Sequence, residues 1–120
     1  MKRFRTAIEA RDIDAAIASL APDVVFRSPV VFSPYRGRDA VGAILRAVMR
    51  VFEDFHYTDE LASASHGALV FTARVGDRAI DGIDLGAVNA EGLISELAVF
   101  IRPMSGLAAL AEAMKRELVR

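Results

Sequence analysis

The chain has 120 residues, 53% of them hydrophobic, with a formal net charge of −1 and no cysteine. That length suits one domain, residues 1–120, able to bury a little under roughly 70% of its unfolded surface and so to build a core without staples. The missing thiols exclude disulfides, a thiolate nucleophile and Cys-based zinc sites, and the interspersed charges lack the basic stripe of a nucleic-acid binder.

The first twelve residues carry Lys2, Arg3, Arg5, Glu9, Arg11 and Asp12, without the apolar stretch of a signal peptide. No segment approaches the roughly 20 apolar residues of a membrane span. A cytoplasmic protein with no membrane and no nucleic-acid partner is expected. Phe4 and Ile8, four apart, start a helix. Asp12 can cap a second helical segment, because its carboxylate accepts from free N–H groups. Ile13, Ile17 and Leu20 then share a face, and Pro22 ends the segment. Asp23 to Ser28 reads as a short strand, with Val24, Val25 and Phe26. Pro29 to Gly37 contains Pro34 as well and reads as a loop.

Asp39 opens the clearest helix. Val41, Ile44, Leu45, Val48, Met49 and Phe52 form one apolar stripe, with Arg46 and Arg50 opposite. Gly42 weakens this helix and so marks close packing. The period then falls to two. Strands are expected at Phe55 to Ala64, Gly67 to Val75, Ala79 to Asn89 and Leu93 to Arg102. The connectors at His66-Gly67, Gly76-Asp77 and Asn89 to Gly92 are short, which makes the neighbours antiparallel. Pro103 and Ser105 start a last helix with Leu107, Leu110, Met114 and Leu118 on one face. The order argues an α+β fold, its helices on one face of an antiparallel sheet. Long strands twist and curl, so a curved sheet closed by a long helix leaves a cone-shaped cavity.

Three local marks carry a family resemblance. Arg11-Asp12-Ile13-Asp14-Ala15 precedes Leu20-Ala21-Pro22-Asp23-Val24. Tyr35-Arg36-Gly37-Arg38-Asp39-Ala40 leads into the third helix. Asp81-Gly82-Ile83-Asp84 is followed by Asn89-Ala90-Glu91-Gly92-Leu93-Ile94. In this order, over residues 1 to about 102, the chain resembles the NTF2-like (cystatin-like) superfamily, which includes the ketosteroid isomerases and the SnoaL-like polyketide cyclases. The resemblance implies a cone of curved sheet on N-terminal helices, here with an added C-terminal helix. It also implies a small apolar organic ligand and a homodimer formed through outer sheet faces. An isomerase of this family uses a carboxylate after the first strand, a tyrosine on the first helix and a late-strand aspartic acid. Carried over, the late acid falls on Asp84, the carboxylate position on Ser28 and the tyrosine on or near Phe4. Serine is too weakly basic for the proton transfer and phenylalanine has no donor. The resemblance therefore implies a pocket protein that is not a working ketosteroid isomerase.

Asp84 lies mid-strand between Ile83 and Leu85, where strands disfavour Asp. Either it points into the cone as a desolvated acid that donates to a ligand, or it points outward and pairs with Arg74 or Arg78. His56 begins a long strand. Imidazole moves protons near neutrality, so His56 and Asp84 form a candidate acid-base dyad, against a His that only decorates the surface. His66 reads as surface. Ser28 and Tyr35 are candidate ligand contacts, against a turn cap and packing over the helix start. Phe26, Phe71, Leu97, Val99 and Ile101 are candidate cavity walls, beside Leu69. Met49, Phe52 and Met114 are ordinary core positions. Arg102 is a candidate anion clamp or a surface or dimer ion pair, and it shares a face with Glu96 and Phe100, which suits a homodimer. The two histidines and scattered carboxylates have no metal-ligand spacing, and no cofactor is expected. An epoxide hydrolase would need several carboxylates and an arginine converging on water. A non-catalytic binding or dimerisation module is the alternative to an acid-base isomerase or cyclase acting on an apolar carbonyl compound.

Overall fold

The computed structural model describes residues 1–119. Helix α1 (Lys2–Glu9) buries Phe4, Ala7 and Ile8. It ends where the Arg11 N–H donates to the Ile8 carbonyl at 3.0 Å and the Asp12 N–H to the Ala7 carbonyl at 2.9 Å. This reciprocal closure puts Arg11 in the left-handed region, φ 60°, where glycine is the usual occupant. Asp12 then caps α2 (Ile13–Ala18), its carboxylate accepting from the Ala15 N–H at 3.1 Å. The helix stops at Ala18, before Pro22, because strand β1 (Leu20–Arg27) has already begun. Pro22 has no N–H for a ladder, and the register of β1 shifts between Leu20 and Val25 around it.

A short strand, β2 (Tyr35–Arg36), pairs antiparallel with β1 inside the stretch that reads as loop in the sequence. Two residues are too few to show a period. Helix α3 (Arg38–Val51) follows. A side chain at Gly42 would place its Cβ 3.2 Å from the Ile17 Cδ1, so this glycine does mark close packing, of α3 on α2.

Strands β3 (Glu53–Ala62), β4 (His66–Val75), β5 (Arg78–Val88) and β6 (Ile94–Arg102) then run as an antiparallel meander, closed by helix α4 (Met104–Leu118). His66 and Gly67 are the first residues of β4 rather than a turn. The reversal lies before them, where the Ser63 N–H donates to the His66 carbonyl at 2.8 Å. The six-stranded sheet has the order β2-β1-β6-β5-β4-β3. One junction departs from the antiparallel expectation: β1 and β6 are parallel. They are joined by α3 and the whole meander, not by a hairpin, so nothing forces a reversal.

The sheet bends where β3 is irregular, between Glu53 and His56 and again between Tyr57 and Asp59. Irregularities of this kind bend a strand and sharpen its twist. The concave face meets two apolar clusters. One gathers α1, α2, β1 and α3 around Phe4, Leu20, Val24 and Val41. The other gathers Phe52, Phe71, Val75, Ile80 and Leu110 beneath α4. Each fully buried large side chain contributes roughly 1.5–3 kcal/mol. Phe55, Tyr57 and Val99 pack against both clusters. No described helix is long and apolar enough to cross a membrane.

The turn after α1 yields a direct test. Arginine in the left-handed region is strained where glycine is not. Arg11→Gly is expected to raise the free energy of unfolding by about 1 kcal/mol, read as a higher urea midpoint with an unchanged m-value.

Candidate functional site

The two clusters do not meet fully. Between them lies a cavity of about 220 Å³, many times the roughly 10–15 Å³ that one water needs. Phe26 of β1, Tyr35 of β2, Phe71 of β4 and Leu97, Val99 and Ile101 of β6 all line it, as do Ser28 and Asp84. Helices α1, α3 and α4 contribute Phe4, Met49 and Met114, so these last two methionines face the cavity rather than filling a closed core.

Asp84 sits opposite Leu69 on one side and Val99 on the other. It is 8% exposed. It faces inward. Arg74 pairs instead with Asp54 at 2.7 Å and Arg78 with Asp77 at 3.8 Å. Burial pushes the Asp84 carboxyl up to about 7, and the hydrogen bond from Tyr57 only partly offsets this. The Tyr57 hydroxyl donates to the Asp84 Oδ2 at 3.5 Å. Its own ionisation is pushed well above the ordinary phenol range, first by burial and then by the neighbouring Asp84 charge. Tyr57 therefore acts as a neutral donor.

Sequence reasoning missed Tyr57 and chose its neighbour His56. Phe55 and Tyr57 alternate on β3 and both line the cavity. His56 lies between them, so the strand turns it outward, where it is exposed and sits opposite Thr72. His56 and Asp84 thus do not face a common cavity. The available signal was the pair of aromatics two apart. It was outweighed by the reactivity of imidazole.

The walls hold the donors in place. Phe55 meets Tyr57 edge-on, ring centroids 4.9 Å apart, and stacks on Phe71 at 5.0 Å. The Arg5 guanidinium lies 5.5 Å from the centre of the Tyr57 ring and is itself held by Glu60 at 2.9 Å. Gly82 leaves the space that Phe71 occupies: a Cβ there would lie 2.2 Å from the Phe71 Cζ.

Ser28 is half-buried at the cavity edge. Its hydroxyl oxygen accepts from the N–H groups of Val30 at 3.0 Å and Val31 at 3.3 Å, so it does cap the turn. Tyr35 packs on Phe26, ring centroids 6.4 Å apart. Arg102 pairs with Asp81 at 2.8 Å and Glu96 with Arg27 at 3.0 Å, both away from the cavity. Among the described residues, Asp84 is the one carboxylate of the lining and no arginine joins it, which removes the convergence an epoxide hydrolase would need. No group of three or more His, Cys, Asp or Glu residues among those described could hold a metal ion.

Comparison with known proteins agrees with this architecture. The family model for the SnoaL-like domain matches residues 1–97, and the chain belongs to that family. Among solved structures, a protein from Pseudomonas aeruginosa described as a steroid delta-isomerase is 45% identical. It superposes with a TM-score of 0.92, over 97% of this chain and 86% of that one. An uncharacterised Silicibacter pomeroyi protein with a cystatin-like fold is 33% identical, TM-score 0.93, over 98% and 84% of the two chains. A SnoaL-like protein of Burkholderia thailandensis shares the fold at 18% identity, TM-score 0.70, over 85% and 91%. No curated protein matches.

The buried acid makes stability depend on pH in a defined direction. An unfolded Asp ionises near 3.8, whereas Asp84 in the fold ionises near 7. Between these values the unfolded chain binds fewer protons than the native one, so the Asp84 contribution is complete below about pH 4 and lost progressively up to about pH 7. Urea unfolding of the native protein and of Asp84→Asn from pH 4 to 8 should show the variant gaining stability relative to the native protein across that window. A constant difference between the two would contradict the assignment.

Proposed function

We propose that the cavity binds an apolar carbonyl compound, with the carbonyl oxygen accepting hydrogen bonds from the neutral Asp84 carboxyl and the Tyr57 hydroxyl. One observation carries this reading: a buried, protonatable carboxyl and a non-ionising phenol share one wall of a largely apolar cavity. Two donors converging where negative charge gathers on oxygen polarise a carbonyl and stabilise an enolate, more strongly in a dry site than in water. The likeness to a protein described as a steroid delta-isomerase supports a ring ketone or enone as the ligand class.

Isomerisation or cyclisation also needs a base at carbon. Ser28 lies where the resemblance places one, and its oxygen already caps a turn. The reading is therefore carbonyl binding and activation, in an isomerase-like or cyclase-like pocket that lacks the family's base.

A second reading, a binding and dimerisation module, draws on the convex face. Ile83 and Phe100 are opposite neighbours there, Leu85 lies beside them, and Phe100 is 57% exposed. The ion pairs Arg102–Asp81 and Arg27–Glu96 flank this apolar centre. A second copy related by a two-fold axis would meet the same patch. The two readings are compatible.

Binding of a neutral cyclic enone, followed by thermal shift or calorimetry, tests the first reading. An ionised Asp84 cannot donate and repels the carbonyl oxygen. Affinity should fall as pH rises through about 7 in the native protein and become flat in Asp84→Asn. Tyr57→Phe should weaken binding by about tenfold at every pH, the loss of one donor worth ~1.4 kcal/mol. No binding by any planar enone or phenol would leave only the module. For the dimer, Phe100→Lys should shift the sedimentation profile toward monomer without changing enone affinity. A native protein that is monomeric at high concentration would remove that part of the proposal.

A further inference from the structure

We infer that Lys115 forms an anion-binding subsite at the mouth of the cavity, so that the ligand is an apolar carbonyl compound carrying a carboxylate at the end remote from Asp84. The inference rests on the carbonyl-binding reading above and adds the ligand's second functional group.

The mouth is located by the exposed members of the lining. Val30 is 42% exposed, Val31 41% and Leu118 47%, and Lys115 is exposed as well. The opening therefore lies between the loop after β1 and the C-terminal half of α4. Helical spacing puts Lys115 there. Leu110, Ala111, Met114 and Leu118 all line the cavity, and Lys115 belongs to the same face.

Among the described residues, Lys115 is the one cation of the lining. The acids nearest it along α4 are engaged elsewhere: Glu112 with Arg116 at 3.9 Å, and Glu117 with Arg50. Among the described residues no carboxylate pairs with Lys115. A lysine lays its stem along apolar surface and keeps its ammonium in water, a posture that offers a charge to whatever protrudes from the mouth.

The two ends of the cavity thus differ in kind. A ligand carboxylate at the inner end would meet Asp84 and, among the described lining residues, no cation, at a high desolvation cost. At the mouth it stays hydrated and gains a partner. A keto acid can bind in one direction only, carbonyl inward and carboxylate outward.

Calorimetry with two probes tests this: a cyclohexenone bearing a short carboxylate chain, and its primary amide. In the native protein the acid should bind about fivefold more tightly than the amide at low salt, the scale of a single exposed ion pair, and the preference should shrink as salt is added. Lys115→Met should abolish the preference and Lys115→Glu should reverse it, each read as the ratio of acid to amide affinity within one variant. If the amide binds and the acid binds no better, the subsite is overturned while the carbonyl reading stands. If neither binds, both fall. A preference that survives in Lys115→Met assigns the anion to another residue and overturns the inference.

Discussion

The structure turns on one constraint: a carboxyl group is held inside a largely apolar cavity, and among the described residues its side-chain hydrogen-bond partner is the Tyr57 hydroxyl. An ionised carboxylate in such a place is costly, and the cheapest escape is to keep its proton. That is why the acid is pushed up to about 7. The arrangement around it follows. On the inner face of β5, Asp84 lies between Gly82 and Gly86. Phe71 fills the space at Gly82, and the Met1 side chain fills the space at Gly86, where a Cβ would lie 2.5 Å from its sulfur. The acid alone projects from that strand into the cavity between two apolar fillers. Larger residues at either glycine would displace those fillers.

Tyr57 completes the site from a different strand. The irregularities in β3 bend it over the concave face and bring the hydroxyl within reach of Asp84. Phe55 fixes one side of the ring, and Arg5, tied to α1 and to Glu60, covers another. Because the phenol is pushed away from ionisation, the pair has one titrating member near neutrality. The pair therefore changes with the state of Asp84: protonated, it carries one acid proton and one phenol proton; ionised, the carboxylate accepts the single phenol proton.

Much of this was legible in the sequence because it rests on period and punctuation. The helical stripe from Val41 to Phe52 and the alternation through Phe71, Leu97 and Val99 located the elements to within a few residues, and an Asp in an apolar strand marked the acid. What was not legible depends on geometry that local pattern does not carry. The two residues of β2 have no period. The parallel β1–β6 junction is a property of the closed sheet, not of either strand. The direction of Asp84 could not be read from alternation, because its face partners are glycines, which fit either side. His56 and Tyr57 differ by one position, and that one position exchanges inside for outside. The exposure of β3 on much of its length hid which phase was correct.

A proton transfer at carbon poses a stricter demand than binding. If Asp84 stays neutral and donates to a carbonyl oxygen, it is unavailable to take a proton from the adjacent carbon. If it ionises and acts as the base, it takes the carbon proton and becomes neutral as the enolate forms, and Tyr57 is the one donor of the pair already placed on the oxygen. One carboxyl cannot serve both ends of the same enolisation at once. The cavity lining has no second carboxylate and no histidine among the described residues to divide the work. On the proposed reading, in which the resemblance puts the isomerase base at Ser28, Asp84 and Tyr57 hold and polarise a carbonyl.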